Sequence, residues 1–199
     1  MFVSSKKYPI QYTLEGKITE SVNGGNLAGT TVTIYQIPFN SSVTSNNFEL
    51  AGTANTDAEG DYAMTFDRDK VTEFKLNLRK EGYYKQDISI NSSEISSENV
   101  NVLNYEMEPE SWIKFQLKNE IPNSTSDDLN ILLPNYREGC EGCATSDFYS
   151  FDGIVDTSII FSSTGGQYFN FTYIEVGAAS MSDSVFMTPF DTLIYSINY

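Results

Sequence analysis

An all-β fold is predicted: a seven-stranded sandwich followed by a second antiparallel sandwich. Three observations carry that expectation. Apolar and polar residues alternate with a period of two through several segments, as in strands with one buried face. Aromatic residues make up 14% of the chain and are dominated by Tyr and Phe, which suit a pleated surface. Helical periodicity of useful length is missing, and Ser93 to Asn99 offers one turn at most.

Strands of the first half are expected at Gln11 to Thr19, Thr31 to Ile37, Glu49 to Thr56, Asp61 to Phe66, Glu73 to Arg79, Lys85 to Ile90 and Val100 to Met107. In the first of these, Tyr12, Leu14, Gly16 and Ile18 alternate with Thr13, Glu15, Lys17 and Thr19; Phe74, Leu76 and Leu78 do the same against Lys75, Asn77 and Arg79. Asn23-Gly24-Gly25-Asn26 is a turn of residues that accept positive φ, and Ala58-Glu59-Gly60 is placed where a tight hairpin reverses the chain. Gly82 marks a further reversal. The Asn- and Ser-rich stretch from Pro38 to Phe48 reads as a long exposed loop.

Glu108-Pro109-Glu110 breaks the pattern, since proline cannot continue a ladder. The domains expected are therefore 8–108 and 109–199. Strands downstream are expected at Ser111 to Lys118, Asn130 to Leu133, Thr157 to Ser162, Tyr168 to Glu175, Ser184 to Met187 and Thr192 to Asn198. Aromatics lie on both faces of the segment from Tyr168 to Glu175, which predicts a strand covered on both sides.

At 199 residues the chain is long enough to bury two small cores. Its net charge of −15 is spread along the whole length and repels phosphate backbones, which argues against nucleic acid as a partner. With no histidine, Ser-His-Asp and Cys-His nucleophile systems, His-ligated zinc and His general bases are excluded. No apolar run is long enough for a membrane-spanning helix, and Met1-Phe2-Val3 is followed at once by Ser4-Ser5-Lys6-Lys7, unlike a signal peptide. If the protein is exported, the expectation is a mature form without its targeting segment.

Cys140-Glu141-Gly142-Cys143 is the chemically suggestive cluster. Redox catalysis calls for a helical setting and zinc for two further ligands, so a local disulfide shaping the loop from Tyr136 to Phe148 is the preferred reading. Asp57, Glu59 and Asp61 place alternating oxygens around a glycine, as a calcium loop does, but Phe66 stands where a closing Glu is needed. Asp57 as the cap of its turn is preferred, with calcium the alternative and no other cofactor expected. Asp127-Asp128 and Asp152 with Asp156 offer carboxylate pairs for acid and base work, against a plain reading as solvated turns. Trp112, Tyr136, Phe148, Tyr149 and Phe151 flank or enter the cysteine loop and are candidates for stacking on a sugar; the competing reading packs Trp112 in the second core.

Gly16-Lys17-Ile18-Thr19, Leu27-Ala28-Gly29 leading into Val32-Thr33-Ile34-Tyr35, Thr56-Asp57-Ala58-Glu59-Gly60-Asp61-Tyr62 and Lys80 to Tyr83 resemble, in order and spacing, the carboxypeptidase regulatory-like domain. The resemblance covers residues 10 to 108 and implies a transthyretin-like (Ig-like) sandwich used as a stalk, spacer or accessory fold, with no catalytic residues. The second half, from Trp112-Ile113-Lys114 to Pro189-Phe190-Asp191-Thr192, resembles a companion domain of Bacteroidetes-type lipoproteins. That likeness implies export to the outer membrane, cell surface or periplasm, with membrane contact only through a lipid anchor. The function expected is a non-catalytic structural or binding module whose partners are glycans or other surface proteins. A carbohydrate-binding accessory module is the alternative, and a carboxylate-based hydrolase the remotest.

Overall fold

The structure is a computed structural model that describes residues 10–38, 47–67, 70–120, 127–134, 136–175 and 177–199. It is all β, and the chain divides into two compact units that meet between Met107 and Glu108 in sequence.

The first unit contains β1 (Gln11–Glu20), β2 (Thr31–Pro38), β3 (Glu49–Asn55), β4 (Asp61–Asp67), β5 (Val71–Arg79), β6 (Gln86–Asn91), β7 (Asn101–Val102) and β8 (Tyr105–Met107). One sheet runs β4-β1-β7, with β8 pairing farther along β1; the other runs β3-β2-β5-β6. The alternating residues of β1, β2 and β5 close the space between them: Leu14, Ile18, Val32, Ile34, Phe74, Leu76 and Leu78 are fully buried. Tyr12 meets Phe74 edge to face at 5.5 Å, a favoured ring geometry.

Three expectations change here. Val100 to Met107 is not one strand but β7 and β8, separated at Leu103-Asn104. The Asn104 side chain accepts the Lys17 amide at 2.8 Å, standing in for a ladder carbonyl, while Leu103 donates its amide to Glu15 and accepts the Tyr62 hydroxyl, both at 2.8 Å. The Ala58-Glu59-Gly60 turn is no hairpin. It is a corner between the two sheets, because β3 pairs with β2 and β4 with β1. Of the stretch read as a loop, Pro38 belongs to β2, and residues 39–46 lie outside the described ones. Among the described residues one helical turn is present, at Ser92–Glu94, where Asn91 and Glu94 form a capping box.

The second unit contains β9 (Glu110–Lys118), β10 (Asp128–Leu132), β11 (Phe148–Asp152), β12 (Asp156–Thr164), β13 (Tyr168–Glu175), β14 (Met181–Phe186) and β15 (Thr192–Asn198). A four-stranded sheet, β11-β10-β13-β14, faces a three-stranded one, β12-β9-β15, in which β15 runs parallel to β9. Their inner faces meet at Phe115 and Phe171, fully buried with ring centroids 4.9 Å apart, joined by Ile113, Leu117, Leu129 and Ile131.

Three further expectations are corrected in this unit. β11 begins where the expected Tyr136 to Phe148 loop ends, among aromatics expected to be exposed, and its alternation turns Tyr149 and Phe151 onto the core. β13 is covered on one face only: Phe169 and Phe171 are buried, but Tyr168 is 65% exposed and Asn170 lies open beside it. β14 starts at Met181 rather than Ser184. It is an edge strand whose Asp183 turns toward the core side and accepts the Tyr195 hydroxyl at 2.7 Å, and an inward-pointing charge of this kind discourages pairing with another chain. That hydrogen bond lowers the Asp183 pKa from the ordinary carboxylate value.

One buried and two half-buried tyrosines give the fold a pH limit. Burial, above all, raises the pKa of Tyr62, of Tyr83, which donates to Glu20 at 2.6 Å, and of Tyr195. A raised folded-state pKa contributes stability that is fully present below the unfolded tyrosine value of about 10 and is lost as pH climbs through the folded value. Denaturation midpoints are therefore expected to be insensitive to this group below pH about 10 and to fall above it. A spectrophotometric phenolate titration of the native protein should lag that of the denatured chain; coincident curves would refute the assignment.

Candidate functional site

The acidic turn is built by Asp57. Its Oδ1 accepts the amides of Glu59 at 3.0 Å and Asp61 at 2.9 Å, and its backbone donates to the Asp61 carbonyl at 2.9 Å. Gly60 supplies the positive φ of 78° that the corner needs. Asp61 in turn pairs with the Lys17 ammonium at 2.9 Å, and that ammonium also donates to the Glu59 carbonyl. Two of the three carboxylates offered for calcium, those of Asp57 and Asp61, are thus engaged in a turn and an ion pair, and among the described residues no group of three or more Cys, Asp or Glu converges to hold a metal ion. Beside them, Glu15, Lys17, Asn55, Asp61, Tyr62 and Asn104 line an open groove of about 720 Å³.

The cysteine loop is anchored at several points. Cys140 and Cys143 are joined by a disulfide with their Cα atoms 5.2 Å apart. Arg137 pairs with Glu108 and donates to the Thr164 hydroxyl at 3.1 Å, and Ala144 is buried in the core. The Gly142 carbonyl accepts the Ser162 amide at 2.7 Å. Because β12 is an edge strand, that bond satisfies an outward-facing ladder amide, and the loop blunts the edge. Replacing both cysteines by serine is expected to cost no more than about 2 kcal/mol, since the closed ring is so short. Amide exchange at Ser162 should accelerate more than exchange at core positions; a uniform change across the unit would contradict an edge-covering role.

The aromatic candidates do not gather on one surface. Trp112 is half-buried on the outer face of β9, opposite the core-facing Ile113, so it is not a core residue of the second sandwich. Tyr149 and Phe151 pack inward, with the Tyr149 ring 4.8 Å from Phe161 and its hydroxyl accepting the Thr145 amide at 2.9 Å. Tyr136 donates to Glu138 at 2.8 Å, a bond that raises its pKa. Of the aromatics in β11 only Phe148 turns outward, 49% exposed. Asp128 and Asp152 are direct cross-strand neighbours in β10 and β11, and their charges, with those of Asp127 and Glu175, add to burial in raising the Tyr199 pKa. Asp156 opens β12, paired with Lys118 of β9.

Sequence reasoning missed the open face of β13 and β14. The signal lies in Tyr168, Asn170 and Thr172 alternating with Phe169, Phe171 and Tyr173, but aromatics on both faces predict two covered ones.

The chain matches no protein-family model and no curated protein sequence. Among solved structures it is similar to the TIE protein of Bacillus anthracis, at 12% identity over 95% of this chain and 34% of that one, with a TM-score of 0.39. It is also similar to a Streptococcal ancillary pilin, at 10% identity over 95% of this chain and 62% of that one, with a TM-score of 0.38. A minor pilin of Streptococcus agalactiae aligns at 11% identity over 94% of each chain, with a TM-score of 0.41. The chain spans less than two thirds of the first two proteins.

Proposed function

We propose that the chain is an exported, non-catalytic module that acts by shape and binding at a cell surface or in the periplasm. The observation supporting this reading is the Cys140–Cys143 bond, set in a loop that closes the edge of β12. Disulfides of this structural kind persist in oxidising compartments and are rare in reducing ones. Several groups with chemical potential are engaged in the fold: Asp57 holds a corner, Tyr62 the break between β7 and β8, and Tyr149 the cysteine loop. The resemblance of residues 10–108 to the carboxypeptidase regulatory-like domain agrees with a spacer or accessory role, and a lipid anchor on the precursor would place that role at the outer membrane. Among the described residues no helix is long and apolar enough to cross a membrane.

The test is alkylation of protein taken from its native source without reductant, followed by intact mass, together with protease treatment of whole cells. An unalkylated mass and digestion from outside are expected for a surface protein; release with the periplasmic fraction identifies the other location. Two alkylated thiols in a protein confined to the cytoplasm would overturn the reading. A carbohydrate-binding role is favoured by one specific feature, the open polar face of β13 and β14.

A further inference from the structure

We infer that the outer face of β13 and β14 is a binding site for a neutral glycan. Cross-strand neighbours on this face are Tyr168 with Phe186, Asn170 with Ser184 and Thr172 with Ser182. A groove of about 410 Å³ runs over the second and third of these pairs, lined by Pro134, Asn170, Thr172, Ser182 and Ser184. Phe171 and Asp183, which also border it, belong to the alternate positions whose side chains turn toward the core. Tyr168 and Phe186 stand at one end, 65% and 49% exposed, with ring centroids 5.4 Å apart. Beyond the other end, the Thr172 row continues through Leu132 to Phe148, both exposed.

The chemistry selects the ligand. On a chain of net charge −15, the outward side chains of this groove are all uncharged, so the surface is matched to a ligand without charge. Its floor is made of hydroxyls and an amide: Thr172 and Ser182 hydrogen-bond each other at 2.8 Å, and Asn170 presents donors and an acceptor together. Hydroxyl-rich ligands exchange hydrogen bonds with such groups, and their C–H faces stack on exposed rings. A protein-docking surface has the reverse layout, with an apolar centre and a polar rim. Here the rings stand at the ends and the polar groups in the middle. The inference goes beyond the proposed module by naming its ligand class and site.

The experiment is affinity electrophoresis of the full chain in native gels containing, separately, soluble starch, laminarin, xylan, galactomannan and the charged polysaccharide alginate. Retardation by at least one neutral polysaccharide is expected. Tyr168→Ala and Phe186→Ala should each weaken it about tenfold, Asn170→Ala should also weaken it, and Tyr168→Phe should retain it. Trp112→Ala, on the other sheet, should leave it unchanged. Melting temperatures establish that the variants remain folded, as expected for exposed side chains.

Retardation by none of the neutral polysaccharides, retardation by alginate alone, or equal retardation of wild type and the ring variants would each overturn the inference. None of these outcomes bears on export, which the thiol and protease measurements decide separately.

Discussion

Replacing Gly16 with valine is expected to cost the first unit about 3 kcal/mol or more, one of the largest single-residue effects in the protein. The residue lies in β1 opposite the break between β7 and β8, where the chain running alongside bulges against it. A Cβ at this position would overlap the Leu103 carbonyl, and it would also come within 2.9 Å of the Tyr62 ring. The obstacle is backbone, so no rotamer relieves it. Moving Leu103 aside would also break its amide bond to Glu15 and its bond from the Tyr62 hydroxyl, each 2.8 Å long. A domain of this size is stable by only about 5–15 kcal/mol, so the loss is a large share of the total. Hydrogen exchange read by mass spectrometry should show Leu14 and Ile18 losing protection; a Gly16→Val chain with wild-type protection would disprove the close approach.

Truncating Phe171 to alanine is expected to destabilise the second unit by about 3–5 kcal/mol. Phe171 is 1% exposed and touches rings from the facing sheet, Phe115 at 4.9 Å and Tyr195 at 4.7 Å. Its removal therefore loses transfer energy and leaves a cavity that three neighbouring strands are too constrained to fill. The chain has a single tryptophan, Trp112, and it lies in this unit, so tryptophan fluorescence in denaturant reads the transition directly. Phe171→Leu should cost clearly less than Phe171→Ala, because more of the volume is kept. Equal losses for the two would mean that the site is not tightly packed.

The β1 and β5 strands were legible because their alternation is a property of neighbouring residues: a pleated backbone turns successive side chains to opposite faces wherever the strand ends up. Turn residues were legible for the same reason, as at Asp57, whose carboxylate reaches amides two and four residues on. Misreadings arose where distant segments had to be known. The break between β7 and β8 depends on the Asn104 side chain reaching the Lys17 amide, a partner 87 positions away in sequence. The corner after β3 looked like a hairpin because its residues suit either, and only the pairing of β3 with β2 and of β4 with β1 separates the two.

The candidate site shows the same division more sharply. Cysteines three positions apart already implied a closed loop, but not that Gly142 would cover the edge of β12 at Ser162. Aromatics near that loop looked like one surface until β11 sent Tyr149 and Phe151 to the core and Phe148 outward. The rings at Tyr168 and Phe186 are adjacent only through the β13–β14 register.

By itself, then, the sequence determined the all-β class, the position of most strands, the local turns and the absence of histidine chemistry, because these follow from composition and from interactions across a few residues. The tertiary structure alone decided which strands pair, which face of each sheet is covered and which side chains meet. Those outcomes depend on long-range pairing and on where apolar faces find each other to exclude water, and an alternating pattern leaves both choices open.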